Sequence, residues 1–204
     1  MKKKLFSQNL WNRAITAIPG GNGLLSKRPD RYLPKNWPTY FSSCKGVEVI
    51  DLEGNKFIDM AQMAVGSAIL GYSNNDLVNA VNQASKNGVN CTLNSPEEVY
   101  LAEKLLQLNP FAGGVKFAKT GAEAMSIAIR IARAYTNKDK VAFSGYHGWS
   151  DWYMATNLAR SDNLNNHLLP GLSTQGVPKG LKNTVVPFIY NSVKDFSKVM
   201  KENP

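Results

Sequence analysis

The spacing of apolar residues near the start of the chain predicts a short helix and then a β-hairpin. Leu10, Ala14, Ile15 and Ile18 repeat at helical intervals. The run Pro19-Gly-Gly-Asn-Gly then stops any helix. Further on, strand-like runs at 47–52 and 56–60 flank a turn at Glu53-Gly-Asn. Two such runs around a glycine-bearing turn are typical of a hairpin.

Two further helices are predicted between residues 75 and 108. Leu77, Val78, Val81 and Ala84 share one face of a helix over 75–88. The second helix begins with Ser95-Pro-Glu-Glu, where serine is expected to cap, proline occupies the first helical position and the acids favour the positive end of the dipole. Before both lies a small-residue loop at 66–72, which can approach a ligand or another backbone closely.

From residue 113 onwards strands and helices alternate. The pattern predicts strands at 115–118, 140–144 and 184–188, with helices at 121–135 and 192–201. Such alternation implies a parallel sheet with crossover helices, so the fold class is α/β. A composition shift near residues 109–110 predicts two parts. Residues 1–110 form an N-terminal arm and a small α+β portion, and residues 111–204 begin a larger α/β domain.

Composition excludes several classes of protein. The chain has 204 residues, of which 43% are hydrophobic and 19% charged, an ordinary globular mixture. No apolar run reaches the roughly 18 residues of a membrane helix, so no membrane association is expected. The basic start lacks the apolar run of an export signal. Two cysteines, Cys44 and Cys91, could form one disulfide, but in a chain of this length and composition they are interpreted as buried free thiols of a cytoplasmic protein. Neither has metal-ligand spacing, so no metal site is expected.

The net charge of +9 does not by itself indicate a nucleic-acid partner. Basic residues are scattered, and no stripe of Lys and Arg interleaved with aromatics is present. The excess also suits phosphorylated or carboxylated small molecules, or an acidic remainder of a longer chain. We therefore expect a small-molecule ligand and no nucleic acid.

The first candidate site lies where a predicted strand turns directly into a helix, at Thr120-Gly121-Ala122. Helix N-termini offer free N–H groups and a positive dipole end to phosphate. Gly121 permits close approach, and Thr120 can cap the helix and add a hydroxyl. An ordinary capped turn is the alternative interpretation.

The second candidate site is Gly145-Tyr146-His147-Gly148, which follows the next predicted strand. Both segments lie at the carboxyl edge of the sheet, where open α/β folds bind ligands. Tyr146 offers a flat face to a heteroaromatic ring. His147 can donate a hydrogen bond or act as an acid or base, and a purely structural histidine is the alternative. Trp149, Trp152 and Tyr153 are interpreted as core or interface packing.

Together these segments resemble the class III aminotransferases, fold type I enzymes that use pyridoxal 5′-phosphate (PLP). The resemblance is nearest to the glutamate-1-semialdehyde 2,1-aminomutase-like subgroup and covers nearly the whole chain. The matching motifs are Lys119-Thr-Gly-Ala-Glu-Ala-Met, Gly145-Tyr-His-Gly, Trp11-Asn-Arg-Ala, Ile18-Pro-Gly-Gly, Gly46-Val-Glu-Val-Ile-Asp-Leu-Glu-Gly-Asn-Lys-Phe-Ile-Asp and Ile69-Leu-Gly-Tyr.

The resemblance implies a role for each matching residue. Thr120, Gly121 and Ala122 would hold the cofactor phosphate, Tyr146 would stack on the pyridine ring, and His147 completes that motif. It also implies a homodimer with sites at the subunit interface, served by the arm at 20–45 and the loop at 66–72. Small-molecule amino donors and acceptors would be the substrates.

Three departures from the family pattern leave the reaction open. Ala122 replaces a hydroxyl residue, the run 22–28 differs from the one that holds the substrate carboxylate in aminomutases, and Val65 stands where tryptophan is expected. An aminotransferase and an aminomutase are both compatible with the motifs.

The length implies that the chemistry is shared with residues beyond this chain. Family members are roughly twice as long, and their Schiff-base lysine and the carboxylate at the pyridine nitrogen lie in the second half. We therefore assign no catalytic residue here and expect an N-terminal half that is inactive alone. The alternative is a half-protein that binds PLP or another phosphate ligand and needs a second chain.

Overall fold

The computed structural model describes residues 6–34, 37–167 and 172–203. Contacts divide the chain into two compact units, Met1–Asn94 and Ser95–Pro204, which are taken in turn. The predicted boundary between residues 110 and 111 stays a prediction.

The first unit is built on a three-stranded antiparallel sheet in the order β1-β2-β3. The predicted helix at its start, the hairpin and the helix that follows are confirmed. Strand β1 was not predicted, because its sequence Phe-Ser-Ser-Cys-Lys lacks an apolar alternation. The elements are α1 Phe6–Ala17, α2 Pro29–Tyr32, β1 Phe41–Lys45, β2 Glu48–Asp51, β3 Lys56–Ile58 and α3 Asn75–Asn87.

The hairpin turn and a glycine fix helix α1 in place. Glu53, in the turn between β2 and β3, accepts from the Ser7 N–H at 2.6 Å and from the Ser7 hydroxyl at 2.7 Å. A carboxylate there accepts from an N–H of the first helical turn that has no partner within the helix. Its negative charge also interacts favourably with the positive end of the helix dipole. On the other side, a Cβ built on Gly21 would lie 2.3 Å from the Trp11 ring, so only glycine fits.

The small-residue loop makes the close backbone approach that its composition predicts. Gly46 and Tyr72 exchange two backbone hydrogen bonds of 2.8 Å. A Cβ on Gly71 would lie 3.2 Å from the Gly46 Cα and carbonyl oxygen. The Tyr72 hydroxyl donates to the Asp59 carboxylate at 2.6 Å. This bond, with the Ala61 N–H, lowers the pKa of Asp59 below its ordinary value.

The second unit contains the parallel pairing of an α/β fold. Strands β4 and β5 pair in parallel, with Val141 opposite Val185 and Phe143 opposite Pro187. The predicted helices and these two strands are confirmed. The elements are α4 Pro96–Leu108, α5 Gly121–Thr136, β4 Val141–Phe143, α6 Asp151–Met154, α7 Thr156–Ala159, β5 Val185–Pro187 and α8 Val193–Glu202.

Two local predictions in this unit are wrong. Residues 115–118 are not a strand, since within the described part of the chain no neighbouring strand takes their backbone hydrogen bonds. Helix α4 does begin at Pro96, but the Ser95 side chain does not cap it. The Ser95 hydroxyl donates instead to the Glu97 carboxylate.

The core of the second unit lies between α5, the β4–β5 pair and the segment after β4. Ile129, Phe143 and Val185 pack with Tyr153 and Leu164. The prediction that Trp152 and Tyr153 are packing residues is confirmed, since both are buried. Trp149 is 53% exposed and therefore not a core residue, and its interface role stays a prediction.

Both cysteines are free, as expected, but the predicted burial is wrong for Cys91, which is exposed. Cys44 is partly buried. In the described ranges, no helix is both long and apolar enough to cross a membrane.

Candidate functional site

Thr120 caps helix α5 through a complete capping box. Its hydroxyl accepts from the Glu123 N–H at 3.2 Å, and the Glu123 carboxylate accepts from the Thr120 N–H at 3.1 Å. The same carboxylate accepts from the Lys119 N–H at 3.0 Å. Such reciprocal bonds fix both the start of the helix and the turn that enters it.

The capping box leaves the first two N–H groups of α5 open. Among the described residues, nothing accepts a hydrogen bond from the N–H of Gly121 or Ala122. A Cβ on Gly121 would meet no atom within 4 Å, so no neighbouring atom crowds the side of the helix start at which that Cβ would lie. Two free donors at the positive end of a 16-residue helix suit an anion.

The loop after β4 docks against this same helix start. Gly148, at φ +88°, lies so close that a Cβ there would stand 2.6 Å from the Ala122 Cβ. The Ser126 hydroxyl donates to the Ala122 carbonyl at 2.8 Å and lies 3.0 Å from the Ser150 hydroxyl. The structure therefore brings the two predicted segments together.

Tyr146 presents a partly exposed ring beside this contact. The side chain is 38% exposed, and its ring meets Tyr153 edge to face at 5.7 Å. A T-shaped contact covers at most one face of either ring. Burial raises the pKa of Tyr146. Burial also raises the pKa of Tyr153 to about 12, with a smaller contribution from the nearby Tyr146. Both phenols are therefore neutral at physiological pH.

His147 braces the loop from inside. Its Nε2–H donates to the Ser144 carbonyl at 2.8 Å, since a carbonyl oxygen can only accept. The ring lies 5.8 Å from Phe143 and 5.9 Å from Trp152. This placement supports the structural interpretation of His147 rather than an acid or base.

His167 is a residue that sequence reasoning did not single out. Its Nδ1 accepts from the Gly145 N–H at 3.2 Å. The two residues are 22 positions apart, and no motif surrounds His167. The only signal was that the chain has two histidines.

Comparison with known families shows to which family the chain belongs. A sequence model described as Aminotransferase class-III matches residues 34–188, which include every candidate residue named above. The chain belongs to the class-III aminotransferase family. The resemblance noted in the sequence is thereby confirmed.

Individual class-III relatives include both transferases and mutases. The chain is 32% identical over 198 residues to the 3-aminobutyryl-CoA aminotransferase of Cloacimonas acidaminovorans, covering 97% of this chain and 43% of that protein. It is 30% identical to the glutamate-1-semialdehyde 2,1-aminomutase of Francisella philomiragia, and the match covers 99% of this chain and 46% of that protein. The chain thus spans about half the length of the curated relatives it matches.

Solved structures confirm the fold. The FumI protein of Sphingopyxis sp. MTA144, solved in its PLP internal aldimine form, superposes with a TM-score of 0.79 and 26% identity. The match covers 96% of this chain and 43% of FumI. A transaminase with PLP bound superposes with a TM-score of 0.79 and 28% identity. The fold is that of the type I PLP transaminases, present in part, and PLP is the cofactor of the family.

The residues of this class-III aminotransferase chain fit that cofactor. The open N–H pair of Gly121 and Ala122 matches a phosphate, and the partly exposed Tyr146 ring matches a pyridine. Gly148 packs so closely on Ala122 that no Cβ fits, so the loop after β4 lies against the start of α5. One ligand that carries both an anion and a flat ring satisfies all three features.

Proposed function

We propose that this chain forms part of a PLP-dependent aminotransferase, with Thr120, Gly121, Ala122, Tyr146 and His147 as its share of the cofactor site. When bound, the cofactor supplies an aldehyde for Schiff-base formation and an electron sink. The observation that carries the proposal is the docking of Gly148 on Ala122, because it joins an anion site to an aromatic face.

The phosphate is assigned to the start of α5. The N–H groups of Gly121 and Ala122 donate to it, and the helix dipole stabilises its charge. Thr120 fixes the turn by accepting from the Glu123 N–H, and its O–H stays available to donate to the phosphate. The replacement of a hydroxyl residue by Ala122 leaves its backbone donor in place.

The ring is assigned to Tyr146. Its hydroxyl is not needed for stacking, and its ring packs edge to face with Tyr153. His147 contributes by holding the loop through Ser144. The Schiff-base lysine lies outside these 204 residues in this proposal, so the chain does not turn over alone.

Intermolecular amino transfer is favoured over the intramolecular shift of an aminomutase. The run 22–28 departs from the aminomutase pattern, which supports a different substrate carboxylate contact. The 3-aminobutyryl-CoA aminotransferase is a relative at 32% identity. In this proposal the substrates are small-molecule amino donors and acceptors. The enzyme is a homodimer located in the cytoplasm.

Protein purified from its native source tests the reaction type. With an amino donor and PLP, a transferase consumes one keto or aldehyde acceptor for each donor and stops when no acceptor is supplied. An aminomutase continues without one. Product formation that continues without any acceptor contradicts amino transfer and supports the mutase.

The purified 204-residue chain tests how the chemistry is divided. We expect it to bind PLP, seen as quenching of its tryptophan fluorescence, without transferring an amino group. Robust turnover by this chain alone contradicts the proposed position of the lysine. Failure to bind PLP contradicts the assignment of the site.

A further inference from the structure

His167 connects a distant segment to the loop that carries Tyr146. Its Nδ1 accepts from the Gly145 N–H at 3.2 Å, one residue before Tyr146. Its ring also lies 5.6 Å from the Phe143 ring, tilted by 38°. Phe143 is the last residue of β4 and is buried in the core. His167 therefore contacts both the end of the strand and the start of the loop.

The segment that carries His167 is itself anchored in the core. The Asn157 side chain, buried in α7, accepts from the Leu164 N–H at 3.0 Å through its Oδ1. Leu164 is completely buried, and its carbonyl accepts from the His167 N–H at 3.0 Å. These bonds place the imidazole on a fixed support.

Gly145 adopts a backbone conformation that residues with a side chain rarely adopt. It has φ +85°, and a Cβ there would meet no atom within 4 Å. A glycine in the left-handed region samples many conformations unless a bond holds it. The bond from its N–H to His167 supplies that restraint.

We propose that His167 is a positioning residue, which sets the orientation of Tyr146 through the Gly145 amide and does so only as neutral imidazole. The consequence for the cofactor rests on the proposed function, whereas the effect on the loop does not. A neutral imidazole has one acceptor nitrogen, and imidazolium has none. Protonation of Nδ1 therefore removes the bond.

Burial favours the neutral form of His167 at physiological pH. Burial lowers the pKa of His167 below its ordinary value of 6.5, Asp195 at the start of α8 opposes this, and the charge of His147 adds to it. The bond is thus present at neutral pH and is lost as the pH falls through the lowered pKa. Tyr146 should be held at pH 7 and released in acid.

Two variants separate positioning from simple packing. His167→Asn places an amide oxygen near the position of Nδ1 and does not titrate. His167→Leu keeps an apolar side chain of similar size against Phe143 and has no acceptor. Both are compared with the wild-type chain between about pH 4 and pH 8, a window that extends below the ordinary histidine range because burial lowers the pKa of His167.

The first readout is hydrogen exchange of the Gly145 amide in the cofactor-free chain, corrected for the intrinsic pH dependence of exchange. In the wild type we expect the amide to be protected at pH 7 and less protected in acid. In His167→Asn we expect the same protection at pH 7 and in acid. In His167→Leu we expect about fivefold less protection than in the wild type at pH 7. Equal protection in all three proteins at pH 7 overturns the proposal.

The second readout is PLP affinity, taken as the ratio of the variant Kd to the wild-type Kd so that titration of the ligand cancels. For His167→Leu we expect a ratio of about five at pH 7 that approaches one in acid. A ratio that does not change with pH overturns the pH-dependent positioning. If no protein binds PLP, the proposed function fails, and the Gly145 amide still decides the role of His167.

Discussion

Gly148 lies against Ala122 so closely that a Cβ on the glycine would stand 2.6 Å from the alanine Cβ and 3.1 Å from its Cα. This contact joins the loop after β4 to the start of α5. Ala122 carries one of the two open N–H donors, and Tyr146 lies two residues before Gly148. The geometry of the whole candidate site therefore depends on one position without a side chain.

Replacing Gly148 by alanine should destabilise the chain more than the same change at a matched open glycine. Gly176 has φ +85° and no atom within 4 Å of a built Cβ, so Gly176→Ala measures backbone strain alone, about 1 kcal/mol. Gly148→Ala adds a clash worth about 1–3 kcal/mol. Urea unfolding measures both, and equal losses would show that the contact is not tight.

Removing the cap of α5 should weaken the helix that holds the phosphate site. Thr120→Ala loses the acceptor for the Glu123 N–H and should reduce the free energy of unfolding by about 1 kcal/mol. Thr120→Ser keeps a hydroxyl and serves as the control. Urea titration of the three proteins gives the comparison. An alanine variant as stable as the serine variant would argue against the capping box.

The ring of Tyr146, and not its hydroxyl, should contribute to cofactor affinity. Tyr146→Ala should raise the Kd for PLP about fivefold, or about 1 kcal/mol, because the stacking face is lost. Tyr146→Phe retains the ring and should bind like the wild type. Fluorescence titration measures all three. If the phenylalanine variant loses as much as the alanine variant, the stacking role is wrong.

The hydrogen bond between Tyr72 and Asp59 should make part of the stability of the first unit dependent on pH. The Tyr72 hydroxyl is the main cause of the lowered pKa of Asp59, so Tyr72→Phe should raise that pKa toward its ordinary value of 3.8. Because the folded pKa is the lower one, this stabilisation is present above pH 3.8 and lost as the pH falls through the folded value. Titration of the carboxyl carbon by NMR checks the shift.

Most of the elements follow from local sequence patterns, and the exceptions have physical causes. Helix α5 carries its own apolar face and its own cap, so the sequence determines its position. Strand β1 depends on pairing with β2, and residues 115–118 depend on a neighbour that the described residues do not contain. A strand forms only when a neighbouring strand takes its backbone hydrogen bonds, and the local sequence pattern does not identify that neighbour.

The candidate site shows the same division between local and distant information. The turn at Thr120-Gly121-Ala122 and the aromatic Tyr146 were identified from local motifs. That Gly148 rests on Ala122 required the fold, because 26 residues separate them. His167 was not predicted for the same reason. Its partner is the backbone N–H of Gly145, which is distant in the sequence and which no sequence motif marks.

The most direct test of the account is the intact mass of the protein from its native source after borohydride reduction, which fixes a Schiff base covalently. We predict one phosphopyridoxyl group per polypeptide, a mass well above the 22.5 kDa of these 204 residues, and a modified lysine outside them. A protein of 22.5 kDa without the adduct would contradict the proposed role in a PLP-dependent aminotransferase.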